Sequence, residues 1–169
     1  AVDGDIMQRA VAVTCDETES GLLRLVDAGD DEPHVVVDRT RTVTLGRRDF
    51  SAADDPRAAA MTWIDEHRSQ VTDLFTDPLL ETYLLRLGDR HHIWYCWGHH
   101  LAFDGYAAMY MMLRVAQHYT AIVDGDEAPP ADIASMADIA ALDAEYRSSD
   151  QFDRDRAHWA ATLLDDAHA

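Results

Sequence analysis

The sequence predicts an α/β fold: an α+β sandwich in which a mostly antiparallel or mixed sheet is covered by helices. Three observations carry that prediction. Two apolar runs, 79–87 and 91–98, are joined by Gly88-Asp89-Arg90 and read as an antiparallel hairpin closed by a tight turn. Along the second run Ile93, Tyr95 and Trp97 fall on one face and His92, Trp94 and Cys96 on the other, so both faces call for cover. Helix-period apolar patterns before and after the hairpin, over 56–71 and 106–123, supply it.

Taken in order, Asp3-Gly4-Asp5 offers a turn and an N-cap, and Ile6, Ala10 and Val13 recur at helical spacing, which predicts a first helix over 6–16. Segments 22–26 and 34–37 read as short strands joined by the turn-rich link 27–33. A further short strand is expected at 43–45, and the polar stretch 47–55 reads as a loop. Pro56 sits at a first-turn position behind Asp55, with Ala60, Trp63, Ile64, His67 and Val71 as the apolar stripe; His67 is expected to be a half-buried packing residue. Phe75-Thr76-Asp77-Pro78 breaks the chain before the hairpin. In the helix after Gly105, Met109, Met112, Leu113, Ala116 and Tyr119 are expected to face the core, with Met111 to one side; so many methionines would also suit an adaptable groove. Gly125 ends that helix, and two more follow over 135–147 and 150–165, joined at Ser148-Ser149-Asp150. No repeat or low-complexity tract is present.

At 169 residues the chain can bury one sizeable core. Its formal net charge is −18, from 32 acidic residues against 14 basic ones, and every basic residue is arginine. A field of that sign repels nucleic acid and anionic membrane, so neither is expected as a partner, and the acidity reads as a solubility device or as a genome or salt-habitat bias. No apolar run approaches the roughly 20 residues that span a bilayer, and no secretory signal is visible. Cys15 and Cys96 are far apart and lack metal-ligand or redox spacing. The reading is a cytoplasmic protein with two free thiols.

The reactive corner of the sequence is Gly98-His99-His100-Leu101-Ala102-Phe103-Asp104-Gly105, between a strand and a long helix. Imidazole exchanges protons near neutral pH, and a loop between rigid elements can aim it into a cleft. The helix start directs N–H groups and partial positive charge at that corner, which favours an uncharged ring able to accept a proton. Two histidines and an aspartate also raise a metal site, with His91, His92 or His118 as extra ligands, but His99 and His100 diverge and no third ligand shares their face. No metal is therefore expected. A Ser–His–Asp site is poorer still, since no nucleophile elbow is present.

His99-His100-Leu101-Ala102-Phe103-Asp104-Gly105 resembles HHxxxDG, the active-site motif of condensation domains in nonribosomal peptide synthetases. The resemblance extends to the strand from Leu79, the strand Arg90–Trp97, the Ala128-Pro129-Pro130 loop and the late run Phe152–Trp159. It implies a chloramphenicol acetyltransferase-like lobe and amide formation between a carrier-bound acyl or aryl thioester and the amine of a carrier-bound amino acid. The implied partners are an acyl or aryl carrier protein as donor and a peptidyl carrier protein as acceptor. No cofactor is expected in the chain itself, because phosphopantetheine arrives on those partners. His100 is expected to handle the proton of the attacking amine and the Gly105 N–H to serve the oxyanion. His99 and Asp104 are expected to be structural, Asp104 bracing the loop through an arginine or backbone N–H groups. Of the two arginines that the family carries in the strand near 22–26, Arg24 matches the second, and Leu22 occupies the place of the first.

By this likeness residues 1–169 form a partial condensation domain, the N-terminal lobe without its first strand and helix region. By the same likeness the C-terminal lobe is expected to be missing from these residues, the isolated chain is expected to be inactive, and the lobe-facing surface is expected to promote self-association. Within the family the aromatic strand and the tail resemble siderophore-forming members, which implies an aryl-acid donor such as 2,3-dihydroxybenzoyl and a serine-like acceptor. Two other readings fit the same residues. One is a non-catalytic lobe that docks carrier proteins. The other is a CoA-dependent acyltransferase, since His100 to Asp104 also satisfies HxxxD.

Overall fold

Helix α1 (Gly4–Thr18) starts where the sequence places a cap: the Asp3 carboxylate accepts the Asp5 and Ile6 N–H groups at 2.9 and 3.1 Å. The structure, a computed structural model, describes residues 2–29 and 32–166, with side chains described through residue 163. Asp30 and Asp31 of the predicted 27–33 link, like Ala1, lie outside the described residues. The chain divides into two units, Ala1–Ala131 and Asp132–Ala169.

In the first unit, β1 (Leu23–Asp27) and β2 (Pro33–Val37) pair antiparallel as a separate two-stranded sheet. A three-stranded sheet holds β3 (Leu45–Asp49), β4 (Leu80–Gly88) and β5 (His91–Gly98) in that order. β3 runs parallel to β4, and β5 returns antiparallel through the Asp89-Arg90 turn, so the sheet is mixed. The predicted loop over 47–55 is corrected here, since Arg47, Arg48 and Asp49 belong to β3. Their polar side chains hide the strand from an apolar-pattern reading, because β3 is an edge whose charged residues face water. Gln8 of α1 completes that edge, donating to the Val43 carbonyl at 3.0 Å and accepting from the Leu45 N–H at 2.5 Å.

β4 is buried on alternate sides, and each side has its own helices. Leu80 and Leu84 join Met7, Ala10, Val11, Cys15, Met111 and Val115 in the core under α1 and α3 (Gly105–Asp124). Leu85 and Leu87 pack with Ala60, Trp63 and Ile64 of α2 (Pro56–Arg68), together with Ile93 and Tyr95. The alternation of β5 is as the sequence predicts, with Trp94 and Cys96 on the first core and Ile93 and Tyr95 on the second. Both cysteines are free, and burial pushes the Cys15 thiol up to about 12 and that of Cys96 up to about 11. His67 packs as expected, its ring 5.1 Å from Trp63.

Three predicted faces are corrected. α1 buries Met7, Ala10, Val11, Thr14 and Cys15 and leaves Val13 exposed. α2 ends at Arg68, so Val71 lies beyond the helix and is 96% exposed. α3 buries Met111, Arg114, Val115 and Ala121, while Met109, Met112, Leu113 and Ala116 are exposed. Apolar residues on both sides of α3 made its orientation ambiguous, and a polar contact decides it. Arg114 is 3% exposed and its guanidinium grips Glu17 of α1 through two hydrogen bonds, at 2.9 and 2.6 Å. The same group donates to Gln117 at 2.6 Å and to the Pro129 carbonyl at 2.8 Å. His118 meets Glu17 at 3.2 Å. Burial raises the Glu17 pKa, but hydrogen bonds from Arg114 and His118 outweigh it and hold the carboxyl below its ordinary 4.5. α3 ends at Gly125, whose φ of 75° is the left-handed conformation that glycine adopts without strain.

In the second unit, α4 (Met136–Arg147) begins with a capping box, the Ser135 hydroxyl accepting from the Asp138 N–H at 3.1 Å and the Asp138 carboxylate accepting from the Ser135 N–H at 3.2 Å. It turns at Ser148-Ser149 into α5 (Asp150–Asp166), and Tyr146 reaches Asp155 at 2.9 Å. No helix among the described residues is long and apolar enough to cross a membrane.

Removing one partner of a largely buried ion pair strands the other, so Glu17→Ala is expected to cost about 3 kcal/mol by urea denaturation. Adding Arg114→Glu to Glu17→Arg should recover at least half of what either change costs alone. Because the folded Glu17 pKa lies below its unfolded value, the stability it adds is fully present above 4.5 and is lost as pH falls through the folded value. Denaturation midpoints measured downward from pH 5 should therefore drop more steeply for the native chain than for Glu17→Gln.

Candidate active site

The paired histidines stand where β5 stops and α3 begins. His99 extends the β-ladder by one step, its N–H donating to the Leu79 carbonyl at 2.9 Å. Its own carbonyl accepts from Ala102 at 2.9 Å and Phe103 at 3.2 Å, which closes the turn. The His99 ring is committed to that turn as well, because Nδ1 accepts the Leu101 N–H at 3.2 Å. The chain then drives Phe103 into the core against Gly98, where an added Cβ would sit 3.0 Å from the Phe103 ring. A glycine at the end of β5 is what admits that ring.

Asp104 caps α3, its carboxylate accepting the Ala107 N–H at 2.7 Å while its carbonyl accepts from Ala108 at 3.0 Å. Of the first-turn N–H groups, those of Gly105 and Tyr106 have no partner within the helix. At Gly105 an added Cβ would meet nothing within 4 Å, so the glycine leaves open space at the helix start rather than serving packing. His100 is exposed and stands at the mouth of a cavity of about 210 Å³. Its walls are Leu80, Cys96, Gly98, Phe103, Ala108, Met111 and Met112, with Asp104 and Gly105 beside the histidine. On the same face of these strands, Thr82 accepts from Trp94 Nε1 at 2.5 Å and from the Cys96 thiol at 3.5 Å.

The structure therefore brings His99, His100, Asp104 and Gly105 together and leaves Arg24 elsewhere. Arg24 lies in β1 and pairs with Asp38 at 3.3 Å, while the hydrogen bond of the Asp104 side chain goes to backbone. Of the two bracing modes open to Asp104, backbone N–H is the one observed. Among the described residues no group of three His, Cys, Asp or Glu side chains is placed to hold a metal ion.

The methionine-rich groove that the sequence allows on α3 is lined by Met111 and Met112, but with Met111 on the buried stripe rather than beside it, and the part of Phe103 in the wall has no sequence expectation behind it. The usable signal was Arg114, a lone charge three residues after Met111 that required an acidic partner. On the α2 side of the sheet a second cluster was also missed. Glu81 accepts from the Tyr83 hydroxyl at 2.6 Å and meets His67 Nε2 at 3.3 Å, with Arg48 over the Trp63 and Tyr83 rings. Burial, then the Glu81 hydrogen bond, pushes the Tyr83 phenol up to about 12.

Residues 1–168 match the family model described as the condensation domain. The isonitrile lipopeptide synthase of Streptomyces coeruleorubidus is 33% identical over 121 residues, 72% of this chain and 8% of that protein. Enterobactin synthase component F of Escherichia coli K12 is 27% identical over 163 residues, 94% of this chain and 12% of that protein. The crystal structure of the starter condensation domain of rhizomide synthetase superposes with a TM-score of 0.89 at 28% identity, over 96% of this chain and 39% of that one. The chain thus spans a small part of the curated relatives it matches.

The cap geometry predicts that Asp104→Ala costs about 1 kcal/mol and frays the first turn of α3, seen as faster amide exchange at Ala107 and Ala108, whereas Asp104→Asn keeps the turn. Arg24→Ala should leave exchange at those amides unchanged.

Proposed function

The chain belongs to the condensation-domain family of nonribosomal peptide synthetases, and from that premise we propose that it carries the catalytic corner for joining a carrier-bound acyl or aryl thioester to the amine of a carrier-bound amino acid. The observation that supports this reading most strongly is the exposed His100 ring at a half-open cavity, beside a helix start whose Gly105 position is open. Aminolysis of a thioester needs an amine lone pair in line with the carbonyl carbon. The new C–N bond forms as charge collects on the carbonyl oxygen, and collapse expels the pantetheine thiolate, which takes up a proton.

His100 serves the first requirement, either taking the amine proton or holding the amine by a hydrogen bond. The Gly105 N–H, with no side chain in the way, faces the developing oxyanion. Alignment of the two substrates supplies a further share, since effective molarity in favourable cases is worth roughly 7–11 kcal/mol. His99 and Asp104 act on the corner rather than on substrate, as their hydrogen bonds to Leu101 and Ala107 support.

On this reading donor and acceptor arrive on an acyl or aryl carrier protein and a peptidyl carrier protein, and the phosphopantetheine arms belong to those partners. This chain supplies one wall of the cleft, a second lobe of the parent protein supplies the other, and the isolated chain does not condense substrates. The likeness to enterobactin synthase component F supports a siderophore setting, and the likeness to isonitrile lipopeptide synthase a lipopeptide one. The reaction class is common to both.

The test uses the chain restored within its parent protein and supplied with phosphopantetheine-loaded carriers. His100→Ala should lower the rate of amide formation by about 100-fold or more, and an unchanged rate would remove the assigned role. Gly105→Ala should lower the same rate without lowering the unfolding midpoint of the chain, because its methyl group meets nothing within 4 Å outside its own helix turn.

A further inference from the structure

We propose that the outer edge of β5 is a docking surface for a second copy of this chain, the two β5 strands pairing antiparallel about a two-fold axis at Tyr95. The inference concerns assembly and does not rest on the catalytic reading. β5 ends the three-stranded sheet, and among the described residues no strand pairs with its outer side. The direction of its backbone groups follows from one hydrogen bond. His99 donates to the Leu79 carbonyl at 2.9 Å, and in an antiparallel ladder alternate residues share that direction. Ile93, Tyr95 and Trp97 therefore turn their N–H and C=O groups toward β4, in register with Leu85, Tyr83 and Glu81. His92, Trp94, Cys96 and Gly98 turn theirs outward.

Proteins guard such edges, and the opposite edge of this sheet is guarded. β3 carries Arg47, Arg48 and Asp49, and Gln8 occupies the Val43 carbonyl and the Leu45 N–H. β5 has neither device, and residues 90–103 hold no proline and no carboxylate. Residues 105–123 of α3 hold no carboxylate either. In a chain of net charge −18, this strand and helix offer a second copy a surface free of the negative charge that repels it elsewhere.

A second copy fits because the positions left open on one edge are the ones left open on the other. With the axis at Tyr95, His92 lies opposite Gly98 of the second copy and Trp94 opposite its Cys96, so every outward N–H meets an outward carbonyl. Ile93 then faces Trp97 across the seam, and Tyr95 faces its own counterpart. Aromatic pairs with aromatic or β-branched partners are among those that stabilise sheets. The α3 residues that share cavities with β5 include Met112, Ala116 and Thr120, all exposed, and an axis normal to the sheet sets this flank of α3 beside its counterpart.

The 169-residue chain tests this as it stands. Sedimentation equilibrium at micromolar concentration should give twice the 18.9 kDa of one chain, falling on dilution. Amide exchange at Trp94 and Cys96 should slow at least about tenfold from the dilute to the concentrated sample, while Ile93 and Tyr95, bonded to β4 in both, should not change. In a mixture of ¹³C-labelled and unlabelled chains, nuclear Overhauser contacts should join the Ile93 methyl groups of one copy to the Trp97 ring of the other. Trp97 belongs to neither core cluster, so Trp97→Asp should fold and weaken association at least about tenfold. A monomer at the highest soluble concentration would overturn the proposal and leave the edge to a strand from elsewhere in the parent protein. A dimer whose Trp94 and Cys96 amides exchange as in the dilute chain would overturn it too, as would unweakened association of folded Trp97→Asp. The exchange and contact measurements need no substitution, so a poorly folding variant does not stop the test.

Discussion

The rotation of α3 about its own axis is fixed by one hydrogen-bonded ion pair, Arg114 with Glu17, and the His100 corner depends on that rotation. Burial of apolar surface does not choose it. Met111 and Val115 lie on one side of the helix and Met109, Met112 and Leu113 on another, so turning the helix would exchange one apolar set for another of similar worth. Turning the helix would instead pull the Arg114 guanidinium off Glu17 and off the Pro129 carbonyl, a loss that the exchange of apolar sets does not offset. With Arg114 facing α1, Met111 faces β4 and the cavity beside His100 has its floor. Asp104 and Gly125 then mark where the helix starts and stops.

That rotation also explains the two roles of the strand–turn–helix corner. The sheet keeps the strand end rigid because both of its faces are covered, Leu84 against α1 and α3 and Leu85 against α2. The turn spends the His99 carbonyl and ring nitrogen on its own closure, and Asp104 spends its carboxylate on the cap. What remains free at the surface is the His100 ring and two N–H groups of the first helical turn. On the proposed reading, the groups assigned to the proton and to the oxyanion are thus the ones not consumed by the fold.

Legibility in the sequence followed the physics of each element. The hairpin was readable because Ile93, Trp94, Tyr95 and Cys96 alternate between two buried faces, and α1 and α2 announced their starts through Asp3 and through Asp55-Pro56. β3 was not readable, since Arg47, Arg48 and Asp49 form a strand by pairing with residues more than 30 positions away while their side chains face water. The face of α3 was misread because an apolar count treats Met111 and Met112 alike, and only the distant Glu17 separates them. The motif residues His99, His100, Asp104 and Gly105 were all legible as a group. The mode of bracing was not, because an N-cap and an arginine partner serve an aspartate equally well on paper. The methionine-lined cavity was legible as a possibility, but which methionines line it depends on the α3 face.

The account stands or falls on where a thioester carbonyl comes to rest. A crystal structure of the parent condensation domain with a non-hydrolysable acyl-pantetheine analogue would locate it. The carbonyl oxygen is expected about 3 Å from the Gly105 N–H, with His100 beside the carbonyl carbon and the acyl chain running past Met111 toward Phe103. An analogue bound with its carbonyl away from the helix start, and the His100 ring facing empty solvent, would contradict the assignment.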